Sequence, residues 1–221
     1  VVSAAKDSRC YSTKDWYTQH SDIVLGHGFY NSLFPKVTKI FPTELHDKYK
    51  HIATIYLGAF YHEFFHLLYT PFRESYDISC RLSEPFRSFA GTVSNILEDV
   101  TIEGTGIHQF PYAEPYITEV KKHFNSPELL KDLEGAIASS PNEASTLLQY
   151  LLLYARGVEN LPKYQLWEDN LKFIKWGAYT CINTITPSLR VKRQIAFAHQ
   201  LAKILNKLAP DKDEVSNPKE A

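Results

Sequence analysis

Residues 52–69 read IATIYLGAFYHEFFHLLY, and this stretch decides how the fold is interpreted. It is apolar or aromatic nearly all round, and its second half contains only three charged or imidazole side chains, His62, Glu63 and His66. A helix that is apolar on every side is a buried helix. A buried carboxylate between two buried imidazoles is costly unless a partner compensates its charge. The stretch therefore predicts a core helix that holds a polar cluster.

The polar cluster has the pattern H-E-x-x-H, with His62 and His66 four residues apart. On a helix, this spacing puts both side chains on one face, where their imidazole nitrogens can bind one metal ion. Glu63 is then placed to take a proton from a metal-bound water. The pattern predicts a Zn²⁺ site with Glu63 as the catalytic base. The competing interpretation is that both histidines are satisfied by ordinary hydrogen bonds in the core.

A catalytic zinc site normally has three protein ligands and one open position, so a further ligand is needed. The segment SNILEDVTIE, residues 94–103, has a helical pattern and three carboxylates. Asp99 and Glu103 share one edge of its buried side, which predicts Asp99 as the third ligand and Glu103 as a carboxylate that orients a ligand histidine. Glu98, on the other edge, is the alternative third ligand because its side chain is longer.

Three weaker interpretations stay open at this point. His27 and His108 lie in predicted loops, where either could supply the third ligand, although a lone histidine in a loop is more often exposed to solvent. The three carboxylates could also form a solvated helix face without any metal.

The motifs resemble those of a family of zincin-like metallopeptidase domains from bacteria and phages, often found next to von Willebrand factor A domains. That family combines H-E-x-x-H, with an H-x-x-x-T-x-F continuation, and an N-x-x-E-D-x-x-I-E helix. The matching residues here are His62, Glu63, His66, Thr70, Phe72, Asn95, Glu98, Asp99, Ile102 and Glu103. The resemblance covers about residues 55–162. It implies a helical metallopeptidase that acts on a peptide or protein, with Asn95 and Glu103 supporting the metal ligands, and with an AAA+ ATPase or a von Willebrand factor A protein as partner. No von Willebrand factor A pattern follows within this sequence.

Charge and cysteine content narrow the function classes. The net charge is −1 with a pI of about 6.8, which gives no electrostatic case for binding nucleic acid or a membrane surface. Three widely spaced cysteines form no metal-binding or redox pair, and no signal-peptide pattern is visible, so we expect a cytoplasmic protein.

The high aromatic content also suits a protein–protein interface. The alternative function is therefore a metal-stabilised binding or regulatory domain of phage or mobile-element type.

The periodicity predicts a mainly α (α+β) fold, a zincin-like domain with a small strand or hairpin between Asp22 and Ile40. We expect one domain over residues 1–209 and a disordered polar tail over 210–221. Predicted helices are 44–69, capped by Thr43 and stopped by Pro71; 85–104, ended by Gly104; 127–138; 141–156, capped by Ser140 and closed by Gly157; 163–182; and 187–208.

Overall fold

The computed structural model describes residues 2–3, 17–19, 22–24, 42–125 and 127–205, with side chains described from residue 50 onward except at 123 and 124. The chain divides by its internal contacts into two compact units. Unit 1 comprises Val1–Thr70 and Ile102–Ser126, and unit 2 comprises Pro71–Thr101 and Pro127–Ala221. Each unit is described by itself below.

The described residues are mainly helical, as the sequence predicts. The helices are α1 (Pro42–Tyr69), α2 (Phe72–Ser79), α3 (Phe86–Gln109), α4 (Glu114–Phe124), α5 (Pro127–Ser139), α6 (Ala144–Ala155), α7 (Gln165–Asp169), α8 (Leu171–Ile182) and α9 (Pro187–Leu205), with a short 3₁₀ turn at Pro111–Ala113 before α4. None of these helices combines the length and the hydropathy that a membrane crossing requires.

Unit 1 contains a three-stranded sheet of short strands in the order β1-β3-β2. Strand β1 (Val2–Ser3) pairs in parallel with β3 (Asp22–Val24), and β2 (Tyr17–Gln19) pairs with β3 in the antiparallel direction. The strand or hairpin that the sequence predicts between Asp22 and Ile40 falls mostly on residues outside the described ones, so it stays a prediction.

The helices α1 and α4 pack closely in unit 1, and a glycine makes the close approach possible. A Cβ atom added at Gly58 would overlap the backbone oxygen of Tyr116 and a methyl group of Val120. A small apolar core lies near the histidines: Phe65, Ile102 and Ile117 are fully buried in it. Thus the aromatic residues around H-E-x-x-H serve mainly to bury the helix that carries it.

Unit 2 has the larger core, which is built from helices α3 and α5 to α9. Trp167 is its largest fully buried side chain and packs against Tyr150 and Tyr154. Cys181 is buried and free of any disulfide, and burial raises the pKa of its thiol to about 12. The N-terminal part of α3 belongs to this unit and presents one apolar side to the core.

Two predicted helix boundaries in the first half of the chain are wrong. Helix α1 begins at Pro42, so Thr43 lies within the helix and is not its N-cap. Helix α3 does not end at Gly104 and continues to Gln109. A glycine at 106 is needed inside this helix, because a Cβ atom there would overlap the ring of Phe65. Gly106 therefore serves close packing, whereas Gly104 has open space around it and does not end the helix.

The later boundaries need smaller corrections. The predicted cap at Ser140 is wrong, since α6 begins after Glu143 and the carbonyl of Ser140 instead accepts a hydrogen bond from Thr146. The predicted helix 163–182 is two helices that meet at Asn170. Helices α2 and α4 were absent from the prediction. The single domain over residues 1–209 stays a prediction, and the tail 210–221 lies outside the described residues.

Gly157 closes α6 as the sequence predicts, with a positive φ of 73°. The backbone N–H of Gly157 donates to the carbonyl of Tyr154, and that of Val158 donates to the carbonyl of Leu153. These two bonds form the glycine-dependent helix ending known as a Schellman motif. Arg156, the last residue before the glycine, is consequently held at a fixed backbone position.

Candidate metal centre

The two histidines of H-E-x-x-H turn the same ring atom towards each other. Nε2 of His62 and Nε2 of His66 lie 3.2 Å apart, and both side chains are largely buried in unit 1. Helix α1 produces this arrangement because residues four apart lie on one face, one turn from each other. The Nε2 atoms therefore converge on one point beside the helix.

Each histidine is oriented from its other ring nitrogen. Nδ1 of His62 lies 2.9 Å from Oε1 of Glu103, and Nδ1 of His66 lies 2.8 Å from the hydroxyl of Thr70. An ionised carboxylate can only accept, so Nδ1 of His62 carries the hydrogen and, in the neutral ring, Nε2 carries the lone pair. In proteins, a histidine that binds a metal through one ring nitrogen usually donates a hydrogen bond from the other.

Glu103 is a buried carboxylate that bridges two cationic or polar partners. Its Oε2 lies 2.5 Å from Nζ of Lys121 on α4, while its Oε1 holds His62. Burial by itself raises the pKa of Glu103, but the hydrogen bonds and charges of His62 and Lys121 together outweigh it and leave the pKa below its ordinary value. Glu103 is thus ionised at neutral pH and fit to orient His62, the role predicted for it.

Glu63 follows His62 directly on α1 and is almost completely buried. A carboxylate at this depth is costly unless it has a polar or cationic partner. In the sequence it comes directly after His62 and three residues before His66. The role of general base, which the H-E-x-x-H pattern predicts for Glu63, stays a prediction.

The alternative third ligand, Glu98, is engaged within unit 2. Its two carboxylate oxygens accept hydrogen bonds from Nε and Nη2 of Arg190, at 2.9 and 2.7 Å, and from Gln194 at 2.9 Å. All three side chains are buried. Withdrawing this carboxylate to bind a metal would leave the Arg190 guanidinium buried without its counter-charge, which is strongly unfavourable.

Asp99 lies on α3 one turn before Glu103, and α3 is an uninterrupted helix. Its side chain is half-buried, and the four-residue spacing puts it on the same helix edge as Glu103. Asn95 lies one further turn back and is exposed. His108, proposed as another possible ligand, is exposed on the last turn of α3, and His27 lies outside the described residues.

Two contacts were missed in the sequence. Thr70 follows His66 at the helical i, i+4 distance, so its contact with Nδ1 was open to prediction from spacing alone. Lys121 gave no such signal, because its contact with Glu103 depends on how α4 packs in unit 1. Similarly, the partners of Glu98 lie more than 90 residues away along the chain.

Comparison with protein-family models, with curated proteins and with solved structures finds no match to this chain. The resemblance to zincin-like metallopeptidases therefore stays a prediction that rests on the two motifs.

Proposed function

We propose that the chain is a zinc-dependent peptidase whose metal is held by His62, His66 and Asp99. One observation carries the proposal: the 3.2 Å separation of the two Nε2 atoms, each in a ring anchored through Nδ1. Tetrahedral zinc with bonds of 2.0–2.1 Å places two nitrogen ligands about 3.3 Å apart. The histidine pair thus fits the ion with almost no change in side-chain position.

Asp99 is favoured over Glu98 as the third ligand for two reasons. Glu98 already holds Arg190 and Gln194. Asp99 extends from the same edge of α3 as Glu103, the residue that touches His62. Two imidazoles and one carboxylate, with a fourth position left to water, form the usual ligand set of a catalytic zinc site.

A bound zinc ion would supply Lewis acidity, which makes water acidic near neutral pH and polarises a carbonyl. Glu63 takes a proton from the attacking water as the water oxygen bonds to the carbonyl carbon of the peptide. It then delivers that proton to the amide nitrogen as the C–N bond breaks, which releases a carboxylate and an amine. Glu103 and Thr70 hold the two imidazoles in the orientation that this chemistry needs.

In the competing interpretation, His62 and His66 have a structural role, and the short distance between their Nε2 atoms is a hydrogen bond. If one Nε2 atom carries a hydrogen, the two imidazoles form a direct N–H···N hydrogen bond at 3.2 Å, and no ion is needed. A metal-stabilised binding domain is the intermediate case, with zinc bound but no turnover.

Metal analysis separates these functions. The purified protein, reconstituted with zinc at neutral pH and desalted, should retain close to one zinc ion per chain, and His62→Ala should lose it. His108→Ala, which changes an exposed histidine, is the matched control. A wild-type protein that remains folded and metal-free would rule out the proposal.

Turnover is tested by incubating the zinc-loaded protein with a mixture of denatured proteins and identifying new N-termini by mass spectrometry. Glu63→Gln should keep zinc and fold but produce no new termini, because the amide preserves the shape of the side chain and cannot accept the proton. Equal cleavage by this variant would exclude Glu63 as the base. Zinc binding without any cleavage by the wild type would favour the binding domain.

A further inference from the structure

Unit 2 contains a cleft of about 600 Å³ between α3 and α6. On α3 its lining residues run at three- and four-residue intervals from Ser88 to Asp99, and on α6 from Leu148 to Arg156 just beyond the helix end. Each helix thus contributes one continuous face. The volume lies within the range of pockets that hold small molecules or short peptide segments.

The cleft has the length of a short extended peptide. Along α3, the eleven helical steps from Ser88 to Asp99 rise about 16 Å. An extended chain covers about 3.3 Å per residue, so about five residues fit along this face. The lining contains two side-chain amides, Asn95 and Gln149, and side-chain amides can hydrogen-bond to a peptide backbone. The Nε2 of Gln149 also donates to the carbonyl of Leu129 at 3.5 Å.

Arg156 gives the cleft its chemical preference. Its side chain is half-buried, and among the residues that the structure describes no carboxylate lies within ion-pair distance of its guanidinium. A guanidinium that is partly withdrawn from water favours a carboxylate that can bind it in bidentate fashion. The Schellman ending at Gly157 fixes the backbone of this arginine before any ligand arrives.

We propose that this cleft binds an extended peptide segment that carries a carboxylate, with Arg156 as the residue that binds the carboxylate. The inference rests on the proposed function for its link to cleavage, because Asp99, the proposed third zinc ligand, lies in the lining. The carboxylate belongs either to an Asp or Glu side chain or to the C-terminus of the peptide.

Gly91 offers a way to close the cleft without disturbing the fold. It lies in the lining, and a Cβ atom added there would meet nothing within 4 Å. Gly91→Phe fills the cleft while improving the helix propensity at this position. Gly135→Phe is the matched control, since Gly135 lies on α5, outside the cleft lining, with equally open space.

The experiment uses full-length zinc-loaded Glu63→Gln protein and two degenerate pentapeptide libraries, both N-acetylated, one C-amidated and one with a free C-terminal acid. Peptides retained by the protein are identified by mass spectrometry. Enrichment of Asp or Glu at one position in the amidated library indicates a side-chain carboxylate, whereas retention from the free-acid library alone indicates the C-terminus. Either result supports the proposal.

Variants then locate the binding. Adding Arg156→Gln should reduce retention of the carboxylate peptides at least tenfold, since a charge-assisted hydrogen bond is lost. The control Arg81→Gln, at an exposed arginine, should leave it unchanged. Gly91→Phe should abolish retention and Gly135→Phe should not. Retention without carboxylate preference, undiminished retention in Gly91→Phe, or no retention by a folded protein would each overturn the cleft proposal.

These outcomes are distinguishable from failure of the proposed function. Zinc content is measured on the same samples, and the cleft proposal fails alone when zinc is bound at one ion per chain but no peptide is retained. The peptidase proposal fails alone when carboxylate peptides are retained through Arg156 and the wild type cleaves none of them.

Discussion

Glu103 contacts His62 across 41 positions of the sequence, with Oε1 of the carboxylate 2.9 Å from Nδ1 of the ring. The contact joins α3 to α1 within unit 1, and Lys121 on α4 holds the other oxygen of the same carboxylate. Three helices thus meet at one side chain, which fixes the tautomer and the direction of the His62 ring.

We expect this contact to control metal affinity. Glu103→Gln should weaken zinc binding by on the order of 10- to 100-fold, because the neutral amide supports the His62 ring less well than a carboxylate. Lys121→Met should cause a smaller loss, since it leaves Glu103 in place. Competition with a chromogenic chelator measures both. Lys122→Met is the control, because Lys122 is exposed and pairs with Glu119 rather than Glu103. An effect of this variant equal to that of Glu103→Gln would contradict the assignment.

A matching prediction concerns the second histidine. Thr70→Val removes the hydroxyl that lies 2.8 Å from Nδ1 of His66 and keeps the shape of the side chain. Zinc affinity should fall by about tenfold, as is usual when a group that orients a ligand is lost. The same chelator competition applies. Thr54→Val changes a half-buried threonine on the same helix, whose hydroxyl donates to the carbonyl of Lys50. If this variant lowers affinity equally, the hydroxyl of Thr70 has no special role.

The two neighbouring carboxylates of α3 should give opposite phenotypes. Asp99→Ala should abolish tight zinc binding with little change in the unfolding free energy. Glu98→Gln should destabilise the fold by about 3–5 kcal/mol, because it breaks a buried ion pair with Arg190 and leaves that charge unbalanced. Chemical denaturation and metal analysis of the same preparations would test this, and the reverse pattern would make Glu98 the ligand.

Gly58 should be sensitive to the smallest substitution. Gly58→Ala forces α1 and α4 apart at Tyr116, and overpacking of this kind costs about 1–3 kcal/mol. Gly135→Ala meets open space and should stabilise its helix by up to about 1 kcal/mol. Urea denaturation of the two variants gives the comparison. Equal stabilities would show that the two helices are not in close contact at this point.

The sequence was most informative where the cause is local. The periodicity of residues 52–69 predicts α1, and the i, i+4 spacing predicts that His62 and His66 share a face. Gly157 ends α6 because only glycine adopts the required φ at no cost. In each case the determining interactions lie within one or two helical turns.

Contacts between distant segments could not be read in the same way. The spacing in residues 96–99 favours Asp99 over Glu98 as a ligand but gives no sign of the ion pair between Glu98 and Arg190, which forms because α9 packs beside α3 within unit 2. Gly104 was interpreted as a helix end since glycine is common there, but the chain stays helical to Gln109. Glycine is tolerated inside a helix, and Gly106, two residues later, packs against the ring of Phe65.

The pairing of Lys121 with Glu103 bears on which divalent cation the proposed centre would select. Because the ammonium neutralises this carboxylate, Glu103 adds little negative potential towards an ion beside His62. Calcium and magnesium prefer sites rich in oxygen ligands and carboxylate charge, whereas imidazole nitrogens suit zinc and its transition-metal neighbours. A centre of two imidazoles and one carboxylate is therefore expected to discriminate against the abundant alkaline-earth ions, even where they greatly outnumber zinc.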